Sequence, residues 1–191
     1  VVQRRGAHIR LPVGEHASVA ELLAASMIAS ANDAMVTLTI AASGSEEAFV
    51  AAANQKAQSL GASHTHLANA TGLSGGTQYS TAENVAVLLQ KAYNDPLLHP
   101  FLSQSSGVLT TLEGTTRQYK TTNDLLASYV PIEAGKTGFT YEAGENLAII
   151  TQSESGHLIG AVVLGSEHRF QDMKALMDWI ERNYTFTRQV R

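Results

Sequence analysis

The run Asn146-Leu147-Ala148-Ile149-Ile150-Thr151-Gln152, the polar break Ser153-Glu154-Ser155-Gly156 and the run His157-Leu158-Ile159-Gly160-Ala161-Val162-Val163-Leu164 decide the fold. Two β-forming runs joined by four turn-forming residues predict a hairpin of adjacent antiparallel strands. Their near-continuous apolar character predicts burial on both faces. Phe170, Met173, Met177 and Ile180, with Leu176 alongside, recur at helical spacing and form a stripe that covers one face. Upstream, Gly107 to Lys120 carries β-formers around Glu113-Gly114 and predicts a second hairpin.

The first half reads as helices. Ser18-Val19-Ala20-Glu21 is a capping box, in which a serine hydroxyl and a glutamate carboxylate satisfy orphan amides, and a helix follows to about Ala29. A second helix starts near Asn32 or Asp33 and stops before Gly44; Ser45 caps a third over 46–60, ended by Gly61. Residues 62–79 read as a long loop, Ser80-Thr81-Ala82-Glu83 as a capping box for a helix to about Tyr93, and Asp95-Pro96 as the start of a short helix. The expected class is α+β: an antiparallel sheet packed by helices plus an alanine-rich helical subdomain. Residues of about 18–105 are mainly helical, and about 106–191 form the sheet and the last helix.

Composition narrows function. The chain has 191 residues, 44% hydrophobic and 16% charged, so a packed core is feasible. A net charge of −4 without runs of one sign argues against nucleic acid or an anionic membrane as main partner. No stretch of 18 apolar residues spans a bilayer, and the absence of cysteine removes disulfides, thiolate catalysis and Cys-based zinc sites. The chain begins Val1-Val2-Gln3-Arg4-Arg5-Gly6, which is no signal peptide and reads as a processed product or a piece of something longer.

Several short motifs invite chemistry that their surroundings do not support. Gly135-Lys136-Thr137 has Val130 where a phosphate loop needs glycine, and a strand runs through the lysine. Gly72-Leu73-Ser74-Gly75-Gly76 spells a nucleophile elbow but lacks the buried strand before it and the helix directly after. His64 and His66 have no third ligand at useful spacing, so no metal and no cofactor is implied. Ser30-Ala31-Asn32 at a helix junction and Lys136-Thr137-Gly138 on a strand gain meaning together. A Ser-x-Asn loop presents a hydroxyl for proton relay and an amide for a substrate carbonyl. A lysine and threonine on an edge strand present a cation and a hydroxyl to a carboxylate, and Gly138 leaves room for a substrate backbone alongside.

In that order the two triplets match two of the three elements of the penicillin-recognising serine enzymes. The chain resembles the D-alanyl-D-alanine carboxypeptidases of the low-molecular-mass penicillin-binding proteins, with a fold of the β-lactamase/DD-peptidase type. The resemblance runs from Leu11-Pro12-Val13-Gly14 through Ser30-Ala31-Asn32-Asp33-Ala34 and Tyr79-Ser80-Thr81-Ala82. It continues through Thr122-Asn123-Asp124-Leu125-Leu126 and Gly135-Lys136-Thr137-Gly138-Phe139-Thr140 to Val163-Leu164-Gly165 and Arg169. It implies an acylating serine in a Ser-x-x-Lys element, a peptidoglycan stem peptide ending in D-Ala-D-Ala as substrate, β-lactams as ligands, and export to the periplasm or the outer face of the cytoplasmic membrane. It also implies roles: Ser30 in proton transfer, Asn32 on the substrate amide, and Lys136 with Thr137 on the terminal carboxylate. No Glu-x-x-Leu-Asn is present, which favours a peptidase over a lactamase. The departure is that no serine has a lysine three residues on, and the family's Ser-x-x-Lys helix precedes Ser-x-Asn by more than the 29 residues before Ser30. The nucleophile helix and N-terminal strands of the sheet are therefore expected to be absent, leaving an open edge suited to an N-terminal fragment of the same protein or to a homodimer. A peptide-binding pseudoenzyme and a Ser74 hydrolase are the competing readings.

Overall fold

In the computed structural model, which describes residues 6–153 and 155–186, the helices begin where side chains can cap them. The Ser18 hydroxyl accepts from the Glu21 amide and the Glu21 carboxylate accepts from the Ser18 amide, starting α1 (Val19–Ile28). Helix α2 (Asn32–Ser43) ends on Gly44 at φ 76°, where a side chain would be strained. Ser45 caps α3 (Glu46–Ser59) through the Ala48 amide. Helix α4 (Ala82–Tyr93) is capped by Thr81 and not by Ser80, whose hydroxyl is instead bonded to Thr65 Oγ1 at 2.8 Å. The short helix expected at Pro96 lies further on: residues 96–98 form turns and a 3₁₀ turn spans His99–Phe101 with Pro100 inside it.

A two-stranded hairpin, β1 (Ser106–Thr110) with β2 (Thr116–Lys120), packs on α1 through Leu109 and Tyr119. Polar ties hold the chain's early residues to it. Glu15 pairs with Arg117 at 2.6 Å, His16 Nδ1 with Glu113 at 2.7 Å, and Glu21 Oε1 accepts from the Thr110 amide at 2.9 Å. Asp33 is buried and accepts from the amides of Ile9 and Leu11, fastening the incoming segment to the start of α2.

The larger sheet has the order β3-β4-β5, all antiparallel: β3 (Ile132–Thr140), β4 (Gly144–Gln152) and β5 (Leu158–Ser166). Alternation splits β4 between two cores. Leu147 and Ile149 meet Met173 and Met177 of α5 (Arg169–Asn183), while Ala148 and Ile150 meet Leu89 of α4. Burying each of the large side chains contributes about 2 kcal/mol, so β4 is the strand around which this half of the molecule is organised.

The reading of both hairpin strands as buried on two faces holds for β4 and fails for β5. Strand β5 is the sheet's edge among the described residues; Leu158 is 53% and Leu164 41% exposed, and only Ala161 is buried. Of the turn joining them Glu154 lies outside the described residues, as do residues 1–5 of the opening segment. Among the described residues no helix is long and apolar enough to cross a membrane.

Candidate active site

Ser30 is placed by the way α1 stops. The Ala29 amide still bonds to Ala25 O at 3.1 Å, and the Ala31 amide reaches the same carbonyl at 3.3 Å. Closing the chain this tightly puts Ser30 at φ 54°, a conformation that glycine adopts freely and an L-residue at a cost of about 1 kcal/mol. Glycine would relieve the strain but would carry no hydroxyl. Asn32, two residues on, is buried at the start of α2; its amide donates to Ala7 O at 2.8 Å and its carboxamide lies under Gly6, where a Cβ would come within 2.7 Å of Nδ2.

Strand β3 brings the second triplet to the same place. The Lys136 ammonium donates to Ser30 Oγ and, at 2.9 Å, to the carbonyl of Thr137. Burial, with the nearby positive charge of Arg169, pushes the Lys136 ammonium down to about 8. Thr137 is buried and shares a hydrogen bond between its hydroxyl and that of Thr122. Gly138 is exposed beside them. Gly135 has no room for a side chain, since a Cβ there would lie 2.6 Å from Asn123 Nδ2. Two triplets distant in sequence therefore meet as one cationic and hydroxylic cluster at the free edge of β3.

Three further groups join this cluster. The Arg169 guanidinium donates to Gly138 O at 3.1 Å, so a second cation stands by the same strand end. A basic residue at the start of α5 opposes the helix dipole, and that mismatch is the mark that singles it out. Thr122 orients the Thr137 hydroxyl, and the Leu102 carbonyl takes the Gly135 amide at 2.8 Å. Beside Lys136 a cleft of about 340 Å³ opens between α1, α4 and the sheet, walled by Met27, Leu88, Leu102, Ala148 and Leu164. A larger cleft, about 610 Å³, lies between the end of α5 and Ser153 and Ser155 and touches none of these groups.

The other motifs find no such company. Ser74 is exposed in an irregular segment between glycines at φ 72° and 133°, without the strand-to-helix turn of an elbow. His66 bridges to Tyr79, with rings 5.9 Å apart.

The profile of the D-alanyl-D-alanine carboxypeptidase family matches residues 2–168. The chain belongs to that family. As a member of the D-alanyl-D-alanine carboxypeptidases it is 34% identical over 164 residues to carboxypeptidase DacF of Bacillus subtilis, covering 84% of this chain and 41% of that protein. It is 33% identical to the D-alanyl-D-alanine endopeptidase of Pseudomonas aeruginosa, covering 94% of this chain and 59% of that one. The chain thus spans about half the length of the curated relatives it matches. Among solved structures, the fold matches a D-alanyl-D-alanine carboxypeptidase from Mycobacterium tuberculosis at TM-score 0.86 with 24% identity, covering 98% of this chain and 72% of that one. It matches the Streptomyces K15 DD-transpeptidase at 0.82 with 26% identity, covering 91% and 71%. The α+β, DD-peptidase-like architecture and the serine-type family are thereby shown.

Proposed function

We propose that this chain is the larger part of a catalytic domain that removes the terminal D-alanine from peptidoglycan stem peptides by acyl-enzyme chemistry and that binds β-lactams. The observation that carries the reading is the hydrogen bond from Lys136 to Ser30. Lys136, Thr137 and Arg169 make a binding place for a carboxylate, and the peptide lies along β3 over Gly138. Asn32 holds an amide of the bound peptide. The acylating serine belongs to a Ser-x-x-Lys element that these 191 residues do not contain. In the complete reaction that serine attacks the carbonyl between the two D-alanines, and its proton passes by way of Ser30 to the departing D-alanine nitrogen. Water then attacks the ester and releases the shortened peptide with the serine restored. The apolar cleft beside Lys136 is the kind of surface on which a helix carrying such an element would seat.

The same reading assigns the protein to the outer side of the cytoplasmic membrane or the periplasm, where the substrate is. The open β5 edge would receive an N-terminal piece of the same protein or a second copy.

Incubation with a labelled penicillin followed by intact-protein mass spectrometry tests the assignment. The 20.3 kDa chain alone is expected to form no covalent adduct, because a nucleophile beside a base is worth several orders of magnitude in rate. It is expected to bind acetyl-D-Ala-D-Ala reversibly, and to lose that binding in Lys136→Met. A stoichiometric adduct on the chain, or binding that survives Lys136→Met, sinks this assignment of roles. An adduct confined to a co-purifying N-terminal fragment would exclude the competing reading of a non-catalytic peptide-binding protein.

A further inference from the structure

The Gly135 amide is spent on Leu102, a residue outside the sheet, so it points away from β4. The pairing of β3 with β4 is unbroken from Ala134↔Ile150 to Thr140↔Gly144. In a regular antiparallel strand every second residue turns its N–H and C=O to the same side. Thr137 and Phe139 therefore face the outer edge along with Gly135. Leu102 covers that edge at Gly135. A peptide whose carboxylate sits at Lys136 and Thr137 is then free to run in one direction only, toward Phe139 and the turn that follows β3.

Two aromatic rings stand at that end. Tyr141 is 99% exposed and Phe139 54% exposed, with ring centroids 5.5 Å apart and planes at 70°. A strand and an extended peptide each advance roughly 3.3 Å per residue. The third residue from the carboxylate end of a bound peptide thus falls opposite Phe139 and Thr140, within reach of both rings.

Resting on the reading of the site as a D-Ala-D-Ala peptide groove, we infer that Phe139 and Tyr141 form a rim that selects the residue preceding the D-Ala-D-Ala pair, by packing against a long aliphatic side-chain stem. The chemistry suits such a stem: its methylene groups lie on a ring while its polar end stays in water.

The probes are acetyl-D-Ala-D-Ala and diacetyl-L-Lys-D-Ala-D-Ala, titrated into the ¹⁵N-labelled chain and followed by NMR. The longer peptide is expected to bind roughly fivefold more tightly or better, and to shift amides of residues 139–142 that the shorter one leaves in place. Tyr141→Ala and, separately, Phe139→Ala should each bring the ratio of the two dissociation constants toward one. Tyr141 has no core contact to lose, so its variant keeps the fold. Equal binding of the two peptides by the unmodified chain, or an unchanged ratio in both variants, overturns the rim while leaving the groove intact. Binding of neither peptide removes the groove itself, and the rim with it.

Discussion

The ammonium of Lys136 donates to the hydroxyl of Ser30 across 106 positions of chain, and Ser30 is there at the expense of a left-handed backbone. Alanine and glycine substitutions both delete the hydroxyl, so they differ only in what the backbone tolerates. Ser30→Gly is expected to be more stable than Ser30→Ala by about 1 kcal/mol. Paired urea denaturations read the difference directly, and equal stabilities would mean that φ at this position carries no strain.

Lys136 gives two pH dependences of opposite sign. Burial pushes its ammonium down to about 8 in the folded protein, from an ordinary value near 10.5. A carboxylate requires the charged form, so affinity for acetyl-D-Ala-D-Ala should fall as pH rises through about 8. Between that point and the unfolded value the unfolded chain binds more protons than the folded one. The contribution of this group to stability therefore rises with pH over the same interval. Titrations and melts across pH 7–10, repeated on Lys136→Met, separate the group from the background. A rise of stability with pH that persists unchanged in Lys136→Met would assign the titration elsewhere.

Gly135 and Gly138 flank the same lysine and threonine and should respond differently to alanine. A Cβ at Gly135 would lie 2.6 Å from Asn123 Nδ2, whereas one at Gly138 meets Asn146 Cβ at an ordinary 3.7 Å. Gly135→Ala is expected to lose about 1–3 kcal/mol of stability. Gly138→Ala should stay within about 0.5 kcal/mol of the parent yet weaken peptide binding several-fold, since its methyl stands where the peptide lies. Denaturation and NMR titration of the two variants distinguish the cases; a destabilised Gly138→Ala would break the distinction.

Strand β5 offers nine residues, Leu158 to Ser166, with no charge and no proline. Natural edge strands are usually guarded by one or the other. Self-association at raised concentration is the expected outcome, measured by sedimentation velocity, and Leu158→Lys with Leu164→Lys should reverse it. A chain that stays monomeric at several hundred micromolar would show the edge to be harmless.

How far the sequence could be read follows from where each signal resides. Helix α1 was legible because Ser18 and Glu21 cap it locally, and α5 because Met173 and Met177 sit at helical spacing with Phe170 and Ile180. The meeting of Ser30 with Lys136 was legible because the two triplets, in that order, resemble those of the D-alanyl-D-alanine carboxypeptidases. Thr81 displaced Ser80 as the cap of α4 because the Ser80 hydroxyl is drawn to Thr65, a contact made across a loop. The exposure of β5 was hidden because Leu, Ile and Val are chosen alike by a central strand and by an edge. Arg169 shows its chemistry only once α5 is docked beside Gly138. The Leu102 contribution is a main-chain carbonyl, which no side-chain pattern could announce.

The polar ties from Glu15, His16 and Glu21 to the β1–β2 hairpin bear on how the molecule breathes. Glu21 serves the first turn of α1 and the Thr110 amide with one carboxylate, while Glu15 and His16 reach Arg117 and Glu113 on or beside β2. Parting the hairpin from α1 would therefore break the Thr110–Glu21 bond and release the strap in the same event. Amide protons along residues 9–22 and 106–120 should exchange with solvent as one cooperative unit. Ser30 sits just past the last turn of α1, so loosening that helix against the hairpin is expected to loosen the serine–lysine contact as well.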